Sequence, residues 1–513
     1  MSLMPRSRRG ALARFALGGT IVVLFTAAAT AVAGLLQFKQ IKTYFDATPP
    51  LRHAQVVVPQ PGQPQTILIL GSDHRAHEPQ NAANSDTIML VRLDPNSSTI
   101  NVMSVPRDLR VDIPLPNGAI QTDKINASYP LGGPNLVVKT IQRDVFPRLK
   151  VNHIVDINFA GFRALVNAIG CVYTDVDHRY FNQNIGTPDT NYSSINLQAG
   201  YQKLCDEDAL SYVRYRHTDT DIVRSARQQD FIRDAKDQYG QTRLIENRDK
   251  LLKIFGQHTQ TDPDLHSVDG LITLFDLVAF SDAHSIREVH FPAILNNCAP
   301  PAPCYVDADP GAEGRAYQQF MQVTRPAGKT SGSGAGGASA GGGGRGGGGH
   351  GGGGHGHSSS PGTAGLQSDD ADGKAQASAL GRAGLPVYYP MLIVGGTNYE
   401  SPTPGQYPRA YRIRDPQGQL QPSYRIVLAF NSDVGQYYGV QGTTWAHAPI
   451  LAAPSEIRYV NGKRLELHFD GSKLRLVAWR TPQAVYWVSN TLSLDLSNDQ
   501  MLGIAASLTP AGG

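Results

Sequence analysis

The alternation of hydrophobic and polar positions changes character several times along this chain, and each change marks a boundary. Residues 15–38, FALGGTIVVLFTAAATAVAGLLQF, carry no charge. At 1.5 Å per helical residue the run exceeds the roughly 30 Å of a bilayer core, so it predicts a transmembrane helix kept as an anchor rather than a cleaved leader. Residues 39–64, with PP and PQPGQP, lack apolar periodicity and read as an extended stalk. From Gln65 short apolar runs begin: TILILGSD, then DTIMLVRLDP and STINVMSVPRD around the turn signal DPNSS. These predict strands. NLVVKTIQRDVF and FAGFRALVNAIG follow with helical spacing, the second stopping at Gly170. Residues 65–325 therefore predict an α/β domain, a central mixed β-sheet flanked by helices.

Residues 326–384 are dominated by glycine and predict a disordered linker. The linker histidines His350, His355 and His357 read as polar spacers rather than metal ligands. From 385 to 513 the pattern turns to short β-branched and aromatic runs, such as YRIVLAF, KLRLVAW and AVYWVS, which predict a separate small strand-rich C-terminal domain. Trp445, Trp479 and Trp487 all fall there, and aromatics in strands are more often core than sugar platforms.

Composition changes this picture in three places. A chain of 513 residues is too long for one ordinary core, in keeping with two folded domains. The net charge of +3 is accounted for by Arg6, Arg8, Arg9 and Arg14, so a nucleic-acid-binding surface is not indicated. That basic cluster at residues 1–14 instead orients the apolar run, with the N-terminus cytoplasmic and the bulk of the chain outside the cell membrane. The four cysteines are an even number suited to two bridges in an oxidising compartment. Cys298 and Cys304 share a short proline-stiffened loop they would staple, whereas Cys171 and Cys205 flank a long insertion. No CxxC or His-x-x-His spacing supports zinc.

The candidate chemistry is made of fixed charges. Asp73 follows a strand in ILILGSDHR, the usual place for a site in an open α/β sheet, and Asp86 opens the next strand in NSDTIML. Two carboxylates at neighbouring strand ends repel unless a cation lies between them, so magnesium is the natural guest, with manganese as the alternative. Aspartates also precede strands as ordinary turn residues. Arg107 and Asp108 in SVPRD and Lys124 in DKINASYPLGG are, taken singly, surface salt-bridge residues.

The densest stretch is YVRYRHTDTDIVRSARQQ, Tyr212–Gln229. With YVRYR extended, Arg214 and Arg216 share one face while Val213 and Tyr215 pack on the other. Asp221 stands at a helix N-cap, and Arg224 and Gln228 lie one turn apart. Asp219 and Arg227 read as ordinary surface residues. Several arginines around an acid pair suit a diphosphate, because the guanidinium fork pairs bidentately and keeps its charge. There is no P-loop GxxxxGK[ST], no strand-linked GxGxxG, no GxSxG elbow at a strand-to-helix turn and no HExxH, which argues against nucleotide and against hydrolases of those classes.

Taken in order, ILILGSDHR, NSDTIML, SVPRD, DKINASYPLGG and ALSYVRYRHTDTDIVRSARQQ, behind one N-terminal anchor, resemble the LytR-CpsA-Psr family of cell-wall glycopolymer ligases. The resemblance implies a transferase outside the membrane. Its donor is a glycopolymer on a polyprenyl diphosphate, its acceptor is peptidoglycan, and the link is a phosphodiester. It implies that Asp73 and Asp86 hold magnesium and that Arg75, Arg107, Lys124, Arg214, Arg216 and Arg224 surround the diphosphate. Asp221 and Gln228 would orient those arginines or the phosphate, and Asp221 or Asp108 is the guess for a general base. A Cys171–Cys205 bridge would pin the intervening segment near the site. The same cations would also serve a polyprenyl-diphosphate pyrophosphatase, or a non-catalytic receptor or regulator that binds the lipid-linked precursor. The resemblance leaves the C-terminal domain without a role.

Overall fold

The computed structural model describes residues 62–73, 84–185, 194–267, 269–270, 284–296, 305–324, 365–400 and 408–511, with a few positions between 43 and 60. The membrane-anchor segment, Arg75, Cys298, Cys304 and the three linker histidines lie outside them. Among the described residues no helix is long and apolar enough to cross a membrane.

The first domain is built on β1 (Gln65–Ser72), β2 (Ser85–Leu93), β3 (Thr99–Ser104), a side hairpin of β4 (Arg110–Pro114) and β5 (Ile120–Lys124), helix α1 (Ser128–Thr140), β6 (His153–Asn158), α2 (Phe159–Ala168), β7 (Val172–Val176), β8 (Gly200–Leu204), α3 (Asp206–Arg214), α4 (Asp221–Glu246), β9 (Thr259–Thr261) and β10 (Ser285–Glu288). The central sheet runs β9-β6-β1-β2-β3-β10. It is mixed: β1 pairs antiparallel with β2 and parallel with β6, and β3 pairs parallel with β10. Strand side chains alternate between faces. Leu68 and Leu70 therefore pack with Leu136 and Val137 of α1, while Ile67 and Ile69 pack on the opposite side with Ile232 of α4 and Phe255. Apolar residues at every strand position are what a sheet covered on both faces requires.

The C-terminal domain includes α5 (Asp370–Ala379), β11 (Arg409–Arg414), β12 (Leu420–Asn431), β13 (Gln436–Thr443), four further strands between Glu456 and Ser489, and α6 (Asn498–Ser507). Its large antiparallel sheet buries one face under α6, with Tyr424, Leu467 and Val488 against Met501 and Ile504. The other face packs on the first domain, with Trp445 and Trp487 against Tyr173 and Tyr201. All three tryptophans are therefore core residues.

Three boundaries differ from the sequence reading. The C-terminal domain begins near Leu366 rather than 385, because Leu366 to Ser368 pairs with Leu392 to Val394 and α5 follows. Part of the expected stalk adheres to the first domain: Leu51 is buried and donates its N–H to the Thr261 carbonyl, and Val57 donates to Val151. The third is YVRYR, which is not extended. Asp206, Glu207 and Asp208 open α3 with three negative charges at its positive end, and the helix runs through to Arg214. Only at Tyr215, with φ −54° and ψ 133°, does the backbone leave it, so the two arginines do not share a strand face.

Candidate active site

Asp73 and Asp86 stand at the facing ends of β1 and β2. The Asp73 side chain accepts from the Asn84 N–H at 2.6 Å, which fixes the carboxylate at the mouth of the hairpin. Burial pushes its pKa up, and the neighbouring charge of Asp86 adds to that rise. Burial would raise Asp86 too, but Arg107, Arg224 and Arg214 outweigh it and hold the carboxyl below its ordinary value.

The cations converge on two carboxylates. Asp86 pairs with Arg107, and its other oxygen lies 3.3 Å from Arg214. Asp108 gathers Lys124 at 3.1 Å and Arg216 at 2.6 Å, with Arg107 at 3.9 Å. Arg224, buried on α4, pairs with Asp221 one turn earlier. Its pKa is lowered, first by burial and then by the like charges of Arg107 and Arg216, against the pull of Asp221 and Asp86. Guanidinium groups set this close repel one another, an arrangement that suits an anion between them. The structure thus brings together Asp73, Asp86, Arg107, Lys124, Arg214, Arg216, Asp221 and Arg224 from segments up to 151 residues apart.

For three residues the structure specifies the local contacts. The α4 N-cap is Thr220, whose hydroxyl accepts from the Val223 N–H at 3.4 Å, so Asp221 is the first helical residue. Gln228 points its amide at the Val213 carbonyl at 3.0 Å, tying α4 to the end of α3 and so orienting the arginines. Asp108 has both oxygens on cations, one near Lys124 and Arg107 and the other on Arg216.

Asp219 and Arg227 are not surface residues. Their side chains are fully buried and paired with each other. Arg227 also donates to the Tyr215 carbonyl at 2.8 Å, the Tyr212 carbonyl at 3.1 Å and the Tyr180 hydroxyl at 3.1 Å. Tyr215 lies between Arg214 and Arg216, so this pair holds the arginine segment from behind. The rings of Tyr180, Tyr212 and Tyr215 surround the buried guanidinium, with centres 4.5, 5.5 and 5.9 Å away. Behind it again stands the C-terminal domain. Tyr437 stacks on His178 at 4.0 Å, His178 lies 4.0 Å from Asp219, and Gly435 packs so closely that a Cβ there would sit 2.6 Å from an Asp219 oxygen. With φ at +79°, Gly435 is also in the left-handed region that favours glycine. Arg425, wholly buried, reaches across to Asp175 at 3.0 Å.

Beside the charges lies an apolar cleft with about 590 Å³ of empty space, part of it open to solvent, lined by Ile69, Met89, Phe159, Phe162, Phe231 and Ile232 among others. Arg214 belongs to both: it lines this cavity, its guanidinium lies 4.0 Å from the Phe159 ring centre, and it faces Asp86. Cys171 and Cys205 form a disulfide with Cα atoms 4.8 Å apart, closing the segment that carries β7 and β8, with Cys205 at the N-terminus of the helix that ends in Arg214.

An α/β domain with a cationic site at the strand ends is what fold and geometry define. The chain matches the LytR_cpsA_psr family over residues 35–299, more than half of its length, and belongs to that family. It is 29% identical over 254 residues to the polyisoprenyl-teichoic acid–peptidoglycan teichoic acid transferase TagV of Bacillus subtilis, which covers 47% of this chain and 63% of that protein. To TagU of Halalkalibacterium halodurans it is 32% identical over 205 residues, 39% of this chain and 62% of the relative. The match thus spans a little over three fifths of these curated relatives. The crystal structure of B. subtilis TagV aligns at 22% identity with a TM-score of 0.40, covering 51% of this chain and 97% of that one.

Proposed function

We propose that the protein is a membrane-anchored, extracytoplasmic phosphotransferase that moves a glycopolymer from a polyprenyl-diphosphate carrier to peptidoglycan. One observation carries this: five cations, Arg107, Lys124, Arg214, Arg216 and Arg224, gather around carboxylates at the edge of an apolar cavity. A diphosphate suits the charges and a prenyl chain suits the cavity, and Arg214 spans the junction where the two meet in such a donor. The names of the relatives, teichoic acid transferases to peptidoglycan, support the same polymer chemistry.

In this reading an acceptor hydroxyl of peptidoglycan attacks the phosphorus that bears the glycan. The new P–O bond forms as the bond to the lipid-side phosphate breaks, polyprenyl monophosphate leaves, and the hydroxyl gives up its proton. Phosphoryl transfer asks a protein mainly for positioning and charge neutralisation. Arg107, Arg214 and Arg224 hold one end of the diphosphate, and Arg216 and Lys124, set by Asp108, hold the other. Asp73 and Asp86 offer oxygen donors of the kind a hard cation takes, and the Asp86 charge that raises Asp73 is what such an ion would relieve. Bound there, magnesium would neutralise further charge on the diphosphate. Residues 15–38 supply the anchor in this proposal, which keeps the site near lipid-borne donor.

The test is a pair of variants. Asp73→Ala and Arg216→Ala are expected to abolish polymer transfer while lipid binding is partly kept. Transfer at the wild-type rate in both would overturn the proposal.

A further inference from the structure

A second cleft, with about 760 Å³ of empty space, opens where β8 of the first domain meets β11 of the C-terminal domain. Lys203 enters it from β8, and Arg409, Arg412 and Arg414 from β11, against one acid, Asp415. That acid is occupied by its own turn. One oxygen accepts from the N–H groups of Gln417 at 3.0 Å and Gln419 at 2.8 Å, and the other from the Gln421 amide at 2.8 Å. Among the described residues no carboxylate lies within ion-pair distance of Lys203, Arg412 or Arg414.

All three side chains are exposed, and two of them have partners other than a carboxylate. Lys203 lies 5.5 Å from the centre of the Tyr173 ring, and Arg414 donates to the Gly418 carbonyl at 3.0 Å. Arg412 and Arg414 share a strand face and so stand roughly 7 Å apart along β11. Like charges kept this close oppose one another, and a chain carrying anions at repeated intervals neutralises them together. Because its walls come from both domains, the cleft exists only when the two are docked. The docking is firm, with the wholly buried Arg425 of β12 set against Asp175 of β7 and Tyr411 donating to the Tyr201 carbonyl at 3.0 Å.

We propose that this cleft binds a polyanionic glycan through Lys203, Arg412 and Arg414: a stretch of saccharide or polyol repeats bearing phosphodiester groups, remote from the diphosphate. It rests on the transferase reading only for the natural source of that polymer, since binding requires no transfer. The C-terminal domain thereby acquires a role as half of a polymer-holding site.

The experiment is isothermal titration of the full-length chain with a glycerol-phosphate octamer, with uncharged maltooctaose as control. The triple variant Lys203→Gln, Arg412→Gln, Arg414→Gln is expected to lose about tenfold or more in affinity for the octamer, while Arg216→Ala retains it. Four results would each overturn the proposal: equal affinity in the triple variant, equal binding of maltooctaose, loss of octamer binding in Arg216→Ala, or full displacement of the octamer by phosphatidylglycerol vesicles. The third would put the octamer in the diphosphate site, and the fourth would make the cleft a membrane-binding surface. A wild-type chain that binds the octamer but transfers nothing would refute the transferase reading and leave the cleft standing.

Discussion

The Asp219 carboxylate and the Arg227 guanidinium are paired with no solvent exposure on either side chain. Removing one partner of a buried pair leaves the other charged and unsolvated, at a cost of about 3–5 kcal/mol. Asp219→Ala is therefore expected to destabilise the chain by about that much in chemical denaturation. Arg227→Lys is expected not to rescue function, since a single ammonium cannot serve Asp219, Tyr180 and two carbonyls at once. A loss below about 1 kcal/mol for Asp219→Ala, the range of exposed pairs, would contradict the account of this pair.

The same geometry makes the C-terminal domain a support for the arginine segment. Tyr437→Ala removes the ring on His178 and is expected to speed amide exchange at residues 215–221 and to lower turnover, whereas Tyr437→Phe keeps both near wild type. Val488→Ala, a core truncation in the same domain but away from the contact, serves as the comparison at matched loss of Tm. Equal exchange at 215–221 in Tyr437→Ala and Val488→Ala would show that the stack does nothing for the segment.

If the apolar cavity takes the prenyl chain, narrowing it penalises long chains selectively. Ile232→Trp, on the cavity wall, is expected to raise KM for a long-chain polyprenyl donor several-fold while a donor with a ten-carbon chain is little affected. An equal effect on both donors would place the lipid elsewhere.

His468 is buried in the C-terminal domain, and its pKa is pushed down to about 4, first by burial and then by Arg475 and Arg480 against Glu466. The unfolded chain binds a proton there near pH 6.5, the folded chain only near 4. Stability associated with this residue is thus whole above about pH 6.5 and falls as pH drops toward 4, by about 3 kcal/mol at most. His468→Gln is expected to flatten that part of the pH–stability curve. An unchanged slope between pH 6.5 and 4 would contradict it.

Much of the site was legible because charge stands out in a sequence where only 17% of residues are charged. Asp73 and Asp86 sit at strand ends that apolar runs announce, and the arginine stretch declares itself by density. What stayed hidden is whatever depends on packing between distant segments. Nothing local to Asp219 or Arg227 tells a solvated charge from a buried one, because burial there comes from Tyr180 and from Gly435, the latter 216 residues further along. YVRYR has the alternation of a strand, yet the acids of the preceding turn decide for helix. The first folded residues of the C-terminal domain were hidden for a related reason: α5 is rich in alanine and aspartate, and its order rests on contacts such as Tyr389 donating to Asp370 at 2.9 Å.

The most direct measurement of the central claim is the balance of products when the purified chain meets magnesium, a polyprenyl-diphosphate glycan and peptidoglycan. The account predicts polyprenyl monophosphate and phosphodiester-linked muropeptide in equal amounts, with neither formed when peptidoglycan is left out. Polyprenyl monophosphate released at the same rate without peptidoglycan would contradict it, and would make water the acceptor.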